Sequence, residues 1–178
     1  VKKELWSWVR TFVLAIVIAL LVRKYVFALY VVEGSSMQPT LADGQVLMVN
    51  NFHYRFWQPK RGDVVVFARA DLPVFRRGSR LTGGNALVKR IVGLPGETVY
   101  ISDGKVYVDG EPLNEDYVNA EITGTYGPWV LDEGHYFVLG DNRMPRGSED
   151  SRSFGPISIG DIIGRADFII LPAPKKVE

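Results

Sequence analysis

The chain of 178 residues contains no cysteine. That excludes disulfides, thiolate metal sites and a cysteine nucleophile, and it suits an oxidising exterior. Histidine is nearly missing too. His53 and His135 are the two present, far apart and without HExxH spacing, so no metal site is expected. Strong charge is absent. A net charge of +1 gives no global field towards nucleic acid, and no nucleic-acid partner is expected. There are no repeats and no low-complexity segments. "GLPGET" at 93–98 lacks the Gly-Lys-Ser/Thr ending of a phosphate loop, and no cofactor is expected.

What is present begins with one apolar run. "LWSWVRTFVLAIVIALLV", Leu5 to Val22, is interrupted by Ser7, Arg10 and Thr11. Its uncharged part, from Thr11, is about 12 residues, and the whole is about 18, where a span needs ~20. Arg10 can snorkel to headgroups, and Trp6 and Trp8 suit the interfacial belt. Residues 1–24 are therefore expected to form a transmembrane anchor. The alternatives are a buried core helix or a cleaved signal peptide, but no clear Ala-x-Ala site follows the run. Lys2, Lys3 and Arg10 precede the apolar core, and Arg23 and Lys24 follow it. This slight excess leans towards a cytoplasmic N-terminus.

Residues 25–178 read as a β-rich domain. "YVFALYVV" (Tyr25–Val32), "QVLMVN", "VVVF", "ALVKRIV", "HYFVLGD" and "ADFIIL" are β-branched or aromatic runs bounded by turn residues. Asp103-Gly104 between two alternating runs predicts a hairpin. The 18 glycines and 10 prolines supply the punctuation. No amphipathic helix is expected after the anchor. The expected fold is mainly β, an antiparallel sheet behind one helix. The long loop 68–85 carries Arg69, Arg76, Arg77 and Arg80 against Asp71. It is read either as solvated or as touching anionic lipid headgroups.

With no cysteine, a covalent hydrolase must use Ser or Thr, activated by a base. "VEGSSMQPTL" places Ser35 and Ser36 at the start of the β domain. His53 and His135 read as packed or surface histidines. A neutral lysine is the other possible base. Alternation along "ALVKRIV" puts Lys89 with Leu87 and Ile91, and Arg90 with Val88 and Val92. Two adjacent cations in an apolar strand are costly unless one is neutral or both are paired. Lysine can lose its proton and arginine cannot. Lys89 is thus a candidate base and Arg90 needs an acidic partner. A solvated sheet face for Lys89 remains the open alternative from periodicity alone.

Four ordered blocks carry a resemblance. They are "GSSMQPTL" (34–41), "GDVVVF" (62–67), "VKRIVGLPGE" (88–97) and "GDNR…SEDSR" (140–152). Together they resemble bacterial type I signal peptidases, in particular the compact single-anchor Gram-positive type. The resemblance implies a membrane-bound serine endopeptidase that removes signal peptides from secretory preproteins at the extracytoplasmic face, cutting after small residues. It implies Ser36 as nucleophile, Lys89 as general base, and Ser148 hydrogen-bonded to that lysine. Asp141, Asp150 and Arg152 fall on charged positions that buttress the site, and either aspartate could partner Arg90. The preprotein would lie extended between Val31, Val32, Glu33 and Ala86, Leu87, Val88, with Val32, Leu41 and Val88 walling shallow pockets. The implied fold has a small accessory β region at 98–136 and an exposed apolar surface seated in the lipid bilayer. A monomer is expected.

Two features depart from the family pattern. Gly34 stands where Gram-negative members carry an oxyanion-binding serine, so the hole would rest on the Ser36 amide and a second donor. Four residues, Met144 to Gly147, separate "GDNR" from its serine where two are usual. Two other functions compete with this one. One is a self-cleaving repressor-type Ser-Lys peptidase, disfavoured by the apolar N-terminus and the absence of a DNA-binding helical domain. The other is a non-catalytic membrane-anchored binding module.

Overall fold

Strands rich in Val, Ile and aromatic residues, cut at short intervals by Gly and Pro, leave little choice but a meandering antiparallel sheet. The computed structural model of the protein describes residues 2–25, 27–69 and 86–177. An N-terminal helix α1 (Lys2–Tyr25) leads into strands β1 (Phe27–Val31), β2 (Val46–Asn50), β3 (Val64–Ala68) and β4 (Ala86–Gly93). Next come β5 (Thr98–Ser102), β6 (Lys105–Val108), β7 (Glu111–Pro112), β8 (Tyr126–Val130) and β9 (His135–Leu139). A four-residue helix α2 (Ser151–Phe154) precedes β10 (Ile157–Ser158), β11 (Ile162–Leu171) and β12 (Lys175–Lys176).

The larger sheet runs β1-β2-β11-β3-β4-β9-β10, with β12 added to β11. The second sheet runs β7-β6-β5-β8. It is inserted between β4 and β9, and β9 returns to the large sheet, so the small sheet occupies 98–130. Its hairpins turn on Asp103-Gly104 and Asp109-Gly110, all four residues at positive φ. Asp-Gly is suited to that geometry, which matches the twist of paired strands. The sheets join where Gly93 ends β4. A Cβ there would lie 2.6 Å from Val99, 2.8 Å from Leu131 and 2.9 Å from Phe137. Only glycine lets the two layers approach this closely.

Three apolar clusters fill the interior. One gathers Val32, Met37, Leu41, Leu47, Val49 and Val64 beneath β1–β3. A second packs Val92, Val99, Ile101, Val106 and Phe137 between the sheets. The third holds Val65, Phe67, Ile91, Tyr136 and Val138. Alternation along β4 holds, since Leu87 and Ile91 belong to the third cluster and Val88 to the first.

Two expectations need correction. The first strand begins at Phe27, because the helix continues through Tyr25. The one-turn α2 was not expected. It forms because Asp150 caps it, accepting the Arg152 amide, and four residues give no apolar period to read. The expected transmembrane anchor is present as a helix of 24 residues, yet among the described residues no helix is long and apolar enough to cross a membrane. Its apolar run extends into residues 19–25, whose side chains lie outside the description. Most of the basic loop, residues 70–85 with Arg76, Arg77 and Arg80, also lies outside the described residues.

Candidate active site

The loop that carries Ser36 hangs from the core by two apolar pins. Met37 and Leu41 are buried in the first cluster, and the Leu41 amide donates to Met37 O at 2.8 Å. Gly34, at φ +85°, turns the chain out of β1, and its amide donates to Asp43 Oδ1 at 2.7 Å. A residue with a side chain would be strained in that conformation. Ser36 sits between the turn and the pins, half-buried.

Strand pairing brings the other blocks to the same place. Arg90 stands opposite Val64 on β3 and Leu139 on β9, and Lys89 opposite Val65. Because β9 is antiparallel to β4, its end at Leu139 delivers Gly140 and Asp141 beside the Lys89-Arg90 pair. Lys89 Nζ lies 2.7 Å from Ser36 Oγ and donates to Val88 O at 2.9 Å. Only 2% of Lys89 is exposed. Burial lowers its pKa from 10.5 to about 8, against the opposing pull of Asp150, Glu149 and Asp141. A lysine so placed is neutral in a useful fraction of molecules at mildly alkaline pH, and it then has a lone pair directed at a hydroxyl.

Arg90 has the acidic partner it needs. Its Nε and Nη2 donate to the two oxygens of Asp141 at 2.9 and 2.7 Å, and Nη1 donates to Gly62 O. Thr40 closes this group by donating to Asp141 Oδ2 at 2.5 Å. The guanidinium carbon lies 4.0 Å from the Tyr117 ring centroid. Asp150 instead holds Arg152, both bonds at 2.8 Å, and receives the Gly140 amide at 3.1 Å. Ser148 departs from expectation. Its Oγ is buried without a hydrogen-bond partner, so the bond to Lys89 is not made. It presses against Gly140, where a Cβ would collide with Ser148 Oγ and Ser36 O.

The residues expected to line the substrate fall on two strand edges. Val31 and Glu33 bracket the exit of β1, and Val32 is buried. Ala86, Leu87 and Val88 begin β4, where they pair with β3 only, since β9 pairs from Arg90 onward. Leu41 is wholly buried and packs with Val32 and Val88, so it is core rather than an open wall. Leu87 packs into the third cluster, and only its main chain faces the free edge. His53 stacks on Trp57, and His135 contacts Glu133 O; neither bonds to Ser36 or Lys89. Among the described residues no group of His, Asp and Glu could hold a metal ion.

Sequence reasoning missed a second layer. Arg143, buried, forms a bidentate pair with Glu115 at 2.9 and 2.5 Å. Asn119 bonds to Asn142 and to the Arg143 amide. These contacts tie the segment after β7 to the block at 140–143. Their one sequence signal is the polar stretch "NEDYVN" in a region otherwise alternating.

Residues 5–171 match the family model described as signal peptidase, peptidase S26. The chain belongs to the signal peptidase family. A Signal peptidase I of Bacillus licheniformis is 35% identical, the match covering 96% of this chain and 91% of that protein. Signal peptidase I T of Bacillus subtilis is 37% identical over 93% of this chain and 85% of the relative. A crystal structure of a signal peptidase I from Enterococcus faecalis is 35% identical, with a TM-score of 0.44, covering 61% of this chain and 97% of its own. Membership in the signal peptidase family rests on the sequence matches.

Proposed function

We propose that this chain is a membrane-anchored serine endopeptidase that removes signal peptides from exported preproteins with a Ser36/Lys89 dyad. The observation that carries the reading is the 2.7 Å separation of Lys89 Nζ from Ser36 Oγ, with the lysine buried and its pKa lowered to about 8. Ser36 Oγ attacks the scissile carbonyl and its proton passes to Lys89 Nζ. Lys89 returns that proton to the leaving amine. An ester to Ser36 remains, and Lys89, neutral again, takes a proton from the water that hydrolyses it. Arg90 and Asp141 tie β4, which carries Lys89, to the loop that carries Ser36 through Thr40. Asp150 and Arg152 brace the segment behind it, and Ser148 packs there.

The preprotein binds extended between 31–33 and 86–88, where β1 and the start of β4 each leave one edge unpaired. Main-chain pairing supplies affinity without reading sequence. Side chains entering beside Val32 and Leu41 meet a filled core, which favours small residues.

The α1 helix anchors the domain to the membrane, with the catalytic part on the extracytoplasmic face. Trp6, Trp8, Phe12, Leu14 and Ile18 are all exposed on it. Leu29, Met48 and Phe168 form a cross-strand row beside it in β1, β2 and β11, and Leu29 and Phe168 are exposed. Such a surface fits lipid better than water.

The test is cleavage of a preprotein whose signal ends in Ala-x-Ala, in detergent. Ser36→Ala and Lys89→Ala each abolish cleavage, while His53→Ala and His135→Ala retain it. Full activity in Lys89→Ala sinks the dyad. A folded wild type that binds preprotein without turnover makes the chain a binding module. Extraction from membranes by alkaline carbonate sinks the anchor.

A further inference from the structure

The amide of Ser36 makes no hydrogen bond among the described residues, and its orientation is set from behind. In a trans peptide the C=O of one residue and the N–H of the next point in opposite directions. Ser35 O therefore fixes where Ser36 N–H aims. Asn142 Nδ2 donates to Ser35 O at 3.1 Å, and the Asn142 amide donates to Ser36 O at 3.1 Å. Asn142 thus touches both peptide planes that flank the nucleophile, and the Gln38 amide shares Ser35 O with it at 3.1 Å. The Asn142 side-chain amide can do this only with nitrogen towards Ser35.

Asn119 holds it that way round, together with the Met144 amide, which donates to Asn142 Oδ1 at 3.3 Å. Asn119 Nδ2 donates to Asn142 Oδ1 at 2.9 Å, and Asn119 Oδ1 accepts the Arg143 amide at 2.9 Å. Both ends of this relay are unambiguous. A backbone N–H can only donate and a backbone carbonyl can only accept, so each intervening amide has a single allowed orientation. Aligned amides also polarise one another, which strengthens the last donor. Gly147, in the lengthened block, completes the seat. A Cβ there would lie 2.6 Å from Asn142 Oδ1, so the four-residue spacer leaves room for the amide.

We propose that Asn119, outside the four family blocks, is a positioning residue that holds Asn142 so that the Ser36 amide faces the oxyanion of the acyl-transfer intermediate. This rests on Ser36 being the nucleophile of the proposed function. Asn119 is exposed, so water can substitute in an alanine variant, and the informative change is Asn119→Asp. The aspartate still accepts from Arg143 but sets an oxygen against Asn142 Oδ1, which drives the Asn142 amide out of its seat against the weaker hold of the Met144 amide.

The experiment compares wild type and Asn119→Asp with the Ala-x-Ala preprotein and with a peptide aldehyde, whose adduct with Ser36 carries the same oxyanion. Rates are taken on the alkaline plateau, where Lys89 is neutral in both proteins and the new carboxylate no longer acts through the lysine's protonation; the uncharged Gly147→Ala change separates its direct field on the oxyanion from loss of the relay. The expected result is a fall in kcat of about 10- to 100-fold, short of the full loss of a donor. KM is unchanged and aldehyde affinity weakens by the same factor. Gly147→Ala reaches Asn142 from the other side and gives the same split, and it decides the matter if Asn119→Asp does not fold. A folded variant with wild-type kcat, or one that loses only KM, overturns the relay while the dyad stands. A wild type that cuts nothing overturns both.

Discussion

Arg90 and Asp141 form a bidentate ion pair, 2.9 and 2.7 Å, with both side chains withdrawn from water, while Lys89, one residue earlier, makes no ion pair among the described residues. Two adjacent cations in one strand thus meet different fates. The arginine, which stays charged, receives a carboxylate. The lysine, which can release its proton, receives a hydroxyl and a carbonyl oxygen.

Cleavage should rise with pH through an apparent pKa near 8 and be lost on the acid side, because protonated Lys89 has no lone pair to accept the Ser36 proton. Glu149 is exposed beside the dyad and its charge raises the lysine's pKa. Glu149→Gln should slide the acid limb to lower pH with the plateau rate retained. The check is a pH–rate profile of kcat/KM for both proteins. An acid limb that stays in place in the variant removes Glu149 from the tuning.

The same burial has a cost in stability. The folded-state pKa of Lys89 lies below its ordinary 10.5, so the unfolded chain binds more protons between pH 8 and 10.5. Stability therefore rises with pH through that window, and the penalty is fully present below it. Lys89→Met should be inactive yet more stable than wild type at pH 7, by up to roughly 3 kcal/mol. The gap should close towards pH 10.5. Urea unfolding at the two pH values reads it, and a pH-independent gap would mean that packing rather than protonation sets the difference.

The Lys89-Arg90 pair was legible because its signals are local. A lysine and an arginine side by side in an apolar strand stand out by alternation, and the demand for an acid beside Arg90 follows from charge alone. Asp103-Gly104 announced its hairpin for an equally local reason, positive φ at both turn residues. The choice between Asp141 and Asp150 was not legible. It depends on β9 ending opposite Arg90, a register that no short window contains. Tyr117, Glu115 and Asn119 were missed for the same reason. They act across some 24 to 28 residues of intervening chain, from a segment with no periodicity of its own.

Removing one half of the buried pair should be far worse than removing an exposed one. Asp141→Ala removes both carboxylate oxygens from the buried Arg90 guanidinium and should cost about 3–5 kcal/mol. Arg165, whose side chain is 30% exposed, pairs with Asp167 at 2.6 Å and lies 3.7 Å from Asp63 within reach of water, and Arg165→Ala should cost about 1 kcal/mol. The double change Arg90→Met with Asp141→Leu should lose less than Asp141→Ala alone, since no charge is stranded. Urea midpoints at pH 7 rank the three. If the double variant is the weakest, the pair contributes more than the desolvation it requires.

Two glycines should separate activity from stability. Gly110 has φ +90° and open space around its missing Cβ, so Gly110→Ala strains the turn and costs about 1–2 kcal/mol, far from the dyad. Gly140 has an ordinary φ, but a Cβ there would strike Ser36 O and both side-chain atoms of Ser148. Gly140→Ala must push the Ser36 backbone or the loop carrying Ser148 aside. A displacement of about 1 Å at the reacting centre is enough for a loss near 10²-fold in kcat. The prediction is a Gly110→Ala protein with lower Tm and full turnover beside a Gly140→Ala protein with turnover reduced about 100-fold. Thermal melts and single-turnover cleavage on both would check it. Normal turnover in folded Gly140→Ala would mean that the loop carrying Ser36 yields without moving its hydroxyl from Lys89.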